Sequence, residues 1–193
     1  MGDRIYDDRP DSAGLISPIV ELRMVDDQGN VVADGEEGEI ECNGVTMTPG
    51  YWRRPDATEE IYHGNWLRTG DVGRLDKEGF LYITGRVKDI VIRGGENIFP
   101  GEIEDVAYSH QAIEEVCVFG VPDEELGEVL AMVYFAPHKY VTQAELEAFI
   151  SDQLGAFKVP KYISPSEESL PLNLSGKIDK KIIRESFLAK TLR

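Results

Sequence analysis

The chain has 193 residues, 41% apolar and 9% aromatic, with 36 acidic residues against 20 basic ones and a net charge of −16. That apolar share can bury a core, which excludes a wholly disordered chain. The acidic excess excludes a general nucleic-acid binder and a protein held on an anionic membrane surface, because both need surplus Lys and Arg. The longest apolar run, Val129 to Ala136, falls far short of the roughly 20 residues a membrane span needs. The start, Met1-Gly2-Asp3-Arg4, has no apolar signal-peptide core. Cys42 and Cys117 lie in apolar, strand-like runs and are too few for a disulfide scaffold. They are expected as buried free thiols in a reducing, cytoplasmic setting.

Residues 1–13 are polar and expected to fray. From Pro18 to about Tyr82 short strands alternate with turns. Val20 to Val25 alternates apolar and polar residues, and Asp26 to Asn30 is a turn leading to Val31-Val32. Glu39 to Cys42 alternates again, and Gly50-Tyr51-Trp52-Arg53-Arg54-Pro55 closes that section. Trp66 to Thr69 and Gly79 to Thr84 read as short strands. Strands at such spacing predict a small all-β unit.

The texture changes after Gly85. Asp89 to Arg93 and Glu96 to Phe99 flank Gly94-Gly95, a hairpin signal. Pro100 opens a helix with Ile103, Val106 and Ala107 on its apolar face. Val116 to Val121 and Val129 to Phe135 read as strands. Thr142 to Glu145 is a capping-box pattern ahead of Leu146, Phe149, Ile150 and Leu154 at helical spacing. A last helix is expected from about Asp179 to Leu188, with Ile182, Ile183 and Phe187 inward. The predicted class is α+β: a β-rich, barrel-like part over residues 1–85, then a small mobile α+β domain over 86–193, built of a hairpin and a short sheet flanked by helices. From Phe157 onward eight basic residues meet four acidic ones. A basic tail on an acidic body suits either an anionic ligand or a solvated helix.

Several residues have the chemistry of a site, each with a plainer role beside it. Asp71, after Thr69-Gly70, could accept hydrogen bonds from vicinal hydroxyls such as those of ribose, or simply occupy a turn. Gly85-Arg86-Val87-Lys88-Asp89 offers an Arg fork for phosphate or ribose and a hinge, or an ordinary polar linker. Gly94-Gly95 admits close approach of a ligand to backbone, or makes only a turn. Ser175-Gly176-Lys177 is not a Walker loop, because Pro171 stands where that pattern needs Gly. Lys177 could neutralise a transition-state oxygen or be a surface lysine. His63, His110 and His138 have no metal-ligand spacing.

Order and spacing carry more than any one motif. Gly38-Glu39-Ile40 through Gly50-Tyr51-Trp52-Arg53-Arg54-Pro55, the run TGDVGRLDKEGFLYITGRVKDIVIRGGENIFPGEIE from Thr69 to Glu104, and LNLSGKIDKK from Leu172 to Lys181 together resemble the C-terminal part of the adenylate-forming ligases. That family includes acyl-CoA synthetases, luciferases and peptide-synthetase adenylation domains. The resemblance covers residues 14–190, and GGENIFPGEIE is more like the acyl-CoA synthetases.

The resemblance implies a two-step reaction: ATP and a carboxylic acid give an acyl-adenylate and pyrophosphate, then coenzyme A takes the acyl group. It implies that Asp71 holds the ribose hydroxyls and that Arg86 supports the ribose or phosphate. Lys88 stands at the hinge about which the C-terminal domain rotates. Lys177 reaches the carboxylate and α-phosphate, Gly94 and Gly95 line the pantetheine channel, and Phe157 contacts the coenzyme A nucleotide. Residues 1–85 correspond to the last β-subdomain of the large adenylation domain and 86–193 to the mobile domain. The family's Ser/Thr/Gly-rich phosphate loop, its aromatic-Gly-x-Thr-Glu motif, the Mg2+ site of the complete enzyme and the acyl pocket are not in this sequence. The chain alone is therefore expected not to catalyse adenylation. The competing expectations are a stand-alone module binding nucleotide, coenzyme A or a protein, and one half of a split ligase. Exposed β edges could pair two copies as a homodimer.

Overall fold

The computed structural model describes residues 8–191. The chain forms two compact units, Met1–Lys88 and Asp89–Arg193. The first contains β1 (Gly14–Leu15), β2 (Val20–Val25), β3 (Gly38–Gly44), α1 (Pro55–Glu60), β4 (Tyr62–His63), β5 (Trp66–Leu75) and β6 (Phe80–Arg86). Its strands pair antiparallel in the order β1-β6-β5-β3-β2, with β4 on β5. Among the described residues this sheet is open rather than closed into a barrel. Met24, Ile40, Val72 and Phe80 bury the side that alternation predicts. Glu41 is also buried, at 1% exposure. Burial of a carboxylate requires partners, and Arg23 (2.5 Å) and His63 (3.2 Å) supply them.

The expected fraying at the start meets two outcomes. Residues 1–7 lie outside the described residues. Residues 9–13 are held: Arg9 stacks 4.2 Å above the Phe80 ring and pairs with Asp76 and Glu78, and the Ala13 N–H donates to the Leu81 carbonyl at 2.8 Å. The turn from Asp26 to Asn30 leads to Val31, which makes one bridge with Val25. The short strand expected at Trp66 to Thr69 runs on to Leu75, because β6 supplies a partner along its second half.

The second unit contains β7 (Val91–Arg93), β8 (Glu96–Ile98), α2 (Pro100–Tyr108), β9 (Glu115–Asp123), β10 (Gly127–Phe135), α3 (Gln143–Leu154), β11 (Tyr162–Ser166) and α4 (Lys180–Thr191). Strand β10 is central. It pairs antiparallel with β9 along its whole length, parallel with β11 from Ala131 to Phe135, and with β7 at Gly127. Both hairpin strands read as continuous apolar runs because both faces are covered. Val116, Val118, Leu130, Met132 and Tyr134 pack with Ile103, Ala107, Leu146 and Ile150, so α2 and α3 cover one face. Cys117, Phe119, Val121, Val129 and Ala131 pack with Ile183 and Phe187 of α4 on the other.

Helix ends follow local chemistry. Pro100 starts α2, where its missing N–H has no intrahelical partner to lose. Thr142 accepts a hydrogen bond from the Glu145 N–H at 3.1 Å and caps α3. Asp179 is not helical as expected. Its carboxylate accepts the Ile182 N–H at 3.2 Å and so caps α4, which runs to Thr191 rather than Leu188. Ile182 is not inward: it is 48% exposed, whereas Ile183 and Phe187, four residues apart, are buried. Cys117 is buried as expected, but Cys42 is only half-buried, and both are free.

Leu146→Ala, in the fully buried layer, is expected to destabilise the second unit by about 2–5 kcal/mol. Ile182→Ala should change stability by no more than about 0.5 kcal/mol. Both tryptophans lie in the first unit, so amide hydrogen exchange in β9 and β10 is the measurement. Equal effects would refute the assignment of the α4 faces.

Candidate functional site

In the first unit a bulge presents Asp71. The β3–β5 register jumps from Glu41 opposite Arg68 to Glu39 opposite Val72. Thr69, Gly70 and Asp71 therefore face the single residue Ile40. Gly70 takes a φ of 72°, where a side chain is disfavoured. The Thr69 hydroxyl donates to the Ile40 carbonyl at 2.8 Å and accepts the Asp71 N–H at 3.1 Å. Asp71 is thus in a strand bulge, not in a turn after a strand. Its cross-strand partner is Arg86, and Arg86 Nε lies 2.9 Å from Asp71 Oδ1. The two residues singled out as ribose and phosphate ligands are in direct contact. Among the described residues Asp71 Oδ2 and the remaining Arg86 N–H groups have no other partner, and they could meet a hydroxyl-rich anion. Lys88 follows in a single 3-10 turn, Val87–Asp89, with its side chain exposed.

In the second unit, Gly94 and Gly95 are the two central residues between β7 and β8, with φ values of 59° and 92°. Two positive φ angles define a type I′ turn, which explains both glycines by backbone alone. The Gly94 N–H donates to the Leu126 carbonyl at 2.8 Å, tying the tip to the β9–β10 turn. Asp123 holds that turn by accepting the Glu125 and Leu126 N–H groups, both at 3.0 Å, and pairs with Lys161 at 2.6 Å. The Lys161 hydrogen bond, followed by the turn N–H groups, lowers the Asp123 pKa to about 2. Phe157, in the 3-10 turn Ala156–Lys158, stands beside Arg93. The Arg93 guanidinium donates to the Phe157 carbonyl and lies 5.0 Å from its ring centroid. Gly94, Gly95 and Phe157 are therefore brought together, through a residue that sequence reading did not single out.

Lys177 lies in a second arranged loop. Leu172 and Ile178 form a bridge, and the Asn173 N–H donates to the Lys177 carbonyl at 2.7 Å. Asn173 Oδ1 accepts from the Ser175 N–H (2.9 Å), the Ser175 hydroxyl (2.7 Å) and the Lys177 N–H (3.1 Å). One carboxamide oxygen thus orders the backbone under Lys177, whose side chain is exposed. Asn-x-x-Gly is itself a turn signal that could have been read from the sequence. The loop leads into α4, which is fixed to the outer edge of β9. Lys180 Nζ lies 2.8 Å from Glu104 Oε1, Glu104 accepts the Val118 N–H at 2.7 Å, and Arg184 Nε donates to the Gly120 carbonyl at 2.8 Å. Burial raises the Glu104 pKa, against the opposing pull of Lys180 and of the Val118 N–H. Burial also pushes the Cys117 thiol up to about 12, with the Glu104 charge adding to it. A thiol in that state is a packing group rather than a nucleophile.

The structure does not bring Lys177 and the Gly94–Gly95 turn together. Lys177 precedes α4 on one face of the sheet, and the glycine turn leads through β8 into α2 on the other. Among the described residues no three His, Cys, Asp or Glu side chains form a metal-binding group, and no helix is long and apolar enough to cross a membrane. Two outcomes follow from the local geometry. Asn173→Ala is expected to increase fast backbone motion at Ser175 to Lys177, read by heteronuclear NOE, and Asn173→Asp to restore order; unchanged values in the alanine variant would refute the role. Because Asp123 has a depressed pKa, its stabilisation is present above its ordinary value of 3.8 and is lost as pH falls through about 2. Asp123→Asn should therefore lower the unfolding midpoint at pH 7 and converge with the parent near pH 2.

Comparison with known proteins converges on one family. Residues 102–177 match the AMP-binding enzyme C-terminal domain. The long-chain-fatty-acid–CoA ligase FadD13 of Mycobacterium tuberculosis is 37% identical over 92% of this chain and 35% of its own length. The Escherichia coli O157:H7 long-chain-fatty-acid–CoA ligase is 40% identical over 93% of this chain and 32% of its own. The amide bond synthetase McbA from Marinactinospora thermotolerans superposes with a TM-score of 0.87 at 32% identity, over 96% of this chain and 37% of that one. The chain spans about a third of the length of the curated relatives it matches. Likeness in sequence and likeness in fold thus agree: residues 102–177 carry the AMP-binding enzyme C-terminal domain, and nearly the whole chain is similar to about a third of the length of these ligases.

Proposed function

We propose that the chain serves an ATP-dependent acyl-CoA synthetase, supplying the ribose-binding strand pair, the hinge and the mobile domain. One observation supports this most. Two candidate reactive elements, Lys177 and the Gly94–Gly95 turn, lead into helices on opposite faces of one small unit, joined to the first at a single turn containing Lys88. One pose of that unit presents one element to a fixed site. Rotation at Lys88 exchanges it for the other, so a single domain serves two successive half-reactions.

In the first half-reaction a carboxylate oxygen attacks the α-phosphorus of ATP, and the bond to the departing pyrophosphate breaks. Lys177 supplies positive charge where the α-phosphate and carboxylate oxygens crowd together. Asp71 accepts from the ribose hydroxyls through its open oxygen, while Arg86 fixes its carboxylate. In the second, the coenzyme A sulfur attacks the acyl carbon, the bond to AMP breaks, and the thiol proton passes to solvent. Gly94 and Gly95 suit this step because a Cβ built at Gly95 meets nothing within 4 Å and one at Gly94 meets only Leu126 at 3.5 Å. The turn surface is open to a narrow pantetheine arm. No metal-assisted step is assigned to these residues. Exposed Ile19, Val45 and Trp52 (85%) on the first unit suit packing against the further domain that such an enzyme requires. A reducing, cytoplasmic setting agrees with two free thiols.

Fusion of this chain behind the N-terminal two-thirds of the Escherichia coli relative tests the proposal. The fusion should catalyse fatty-acid-dependent ATP–pyrophosphate exchange, and this chain alone should not. Lys177→Ala should slow adenylation by about 10²–10³-fold and leave thioester formation from supplied acyl-adenylate within a few-fold. A folded fusion without exchange, exchange by this chain alone, or equal loss in both half-reactions would overturn the proposal.

A further inference from the structure

We propose that Arg93 is a phosphate-binding residue that grips the nucleotide end of coenzyme A. The proposal rests on the reading of the Gly94–Gly95 turn and Phe157 as the coenzyme A side of the domain. Arg93 ends β7 immediately before the turn, and its cross-strand partner is Glu96. Its guanidinium lies over the Phe157 ring at 5.0 Å from the centroid and spends one N–H on the Phe157 carbonyl. Stacking and that bond fix the orientation of a side chain that would otherwise sweep freely.

The charge of Arg93 is left uncompensated. Among the described residues no carboxylate lies within ion-pair distance of it, Glu96 included. The neighbouring cations are already committed: Lys158 to Glu102 and Lys161 to Asp123. In a chain of net charge −16, a fixed guanidinium without a carboxylate is an anion site in waiting. Four of its five N–H donors remain, and a forked pair of them matches two phosphate oxygens. Phe157 remains 42% exposed, enough ring to lie against an adenine. A stacked ring beside a guanidinium selects a phosphorylated nucleotide rather than a bare anion.

The test is titration of the 193-residue chain with coenzyme A, 3′-dephospho-coenzyme A and pantetheine, followed by amide chemical shifts and calorimetry. Arg93→Gln should weaken coenzyme A binding at least about tenfold at low salt, with the loss shrinking as salt rises. Arg93→Lys, which keeps the charge but not the fork, should recover part of it. A loss confined to coenzyme A assigns the 3′-phosphate; a loss shared with the dephospho form assigns the diphosphate. Amide shifts in β7 and β8 report whether each variant keeps the hairpin. Equal coenzyme A affinity in parent and variants, or an equal loss for pantetheine, overturns the role of Arg93 while leaving the coenzyme A reading intact. Failure of the parent chain to bind any of the three removes both.

Discussion

Burial of the β9–β10 hairpin on both faces is the constraint on which the second unit rests. Val118, Leu130 and Met132 point one way and Cys117, Phe119 and Ala131 the other, so neither face can be left to water without exposing a large apolar area. Helices must cover both sides. Chain order then decides which helix goes where: α2 and α3 on one side, α4 on the other. The segments that precede these helices, the glycine turn and the Lys177 loop, inherit the same separation. An arrangement that looks mechanistic is thus a consequence of packing a doubly buried hairpin.

The same hairpin has an edge to protect. The outer side of β9 would present backbone groups at Val118 and Gly120 to solvent or to another chain. Glu104 from α2 accepts the Val118 N–H, and Arg184 from α4 donates to the Gly120 carbonyl. Lys180 joins Glu104, so the pair clamps two helices from opposite faces across one strand edge. The raised Glu104 pKa records the cost of holding a carboxylate there. What is gained is geometric: the start of α4, three residues beyond Lys177, is fixed relative to the helix that follows the glycine turn.

Much of this was legible in the residues. Period-two alternation located β2 and β3, the turn at Asp76 to Glu78 located β6, and the Gly94-Gly95 pair located the hairpin, because those signals act within a few residues. Asp71, Arg86, Lys177 and the two glycines were visible as motifs for the same reason. The misreadings have a common cause. Apolar character alone puts Ile182 inward beside Ile183, because it does not choose between adjacent helix positions; the direction of the core does. A turn is the plainer reading of Asp71 in the sequence, because its bulge depends on the register of β3, far away along the chain. Arg93 and Glu104 carry no local signal, since each acquires meaning only from a partner far along the chain, Phe157 and Lys180.

The sequence by itself determined the local elements and the change from a β-rich to an α+β part, because turns, caps and periodicity are short-range physics. Only the tertiary structure decided which side chains meet. It joined Asp71 to Arg86 across a strand pair, gathered Arg93 and Phe157 beside the glycine turn, and put the helix that follows Lys177 on the other face of the sheet from the helix that follows that turn. Those relations are fixed by register and by which faces are buried, and both follow from contacts between residues distant in the chain.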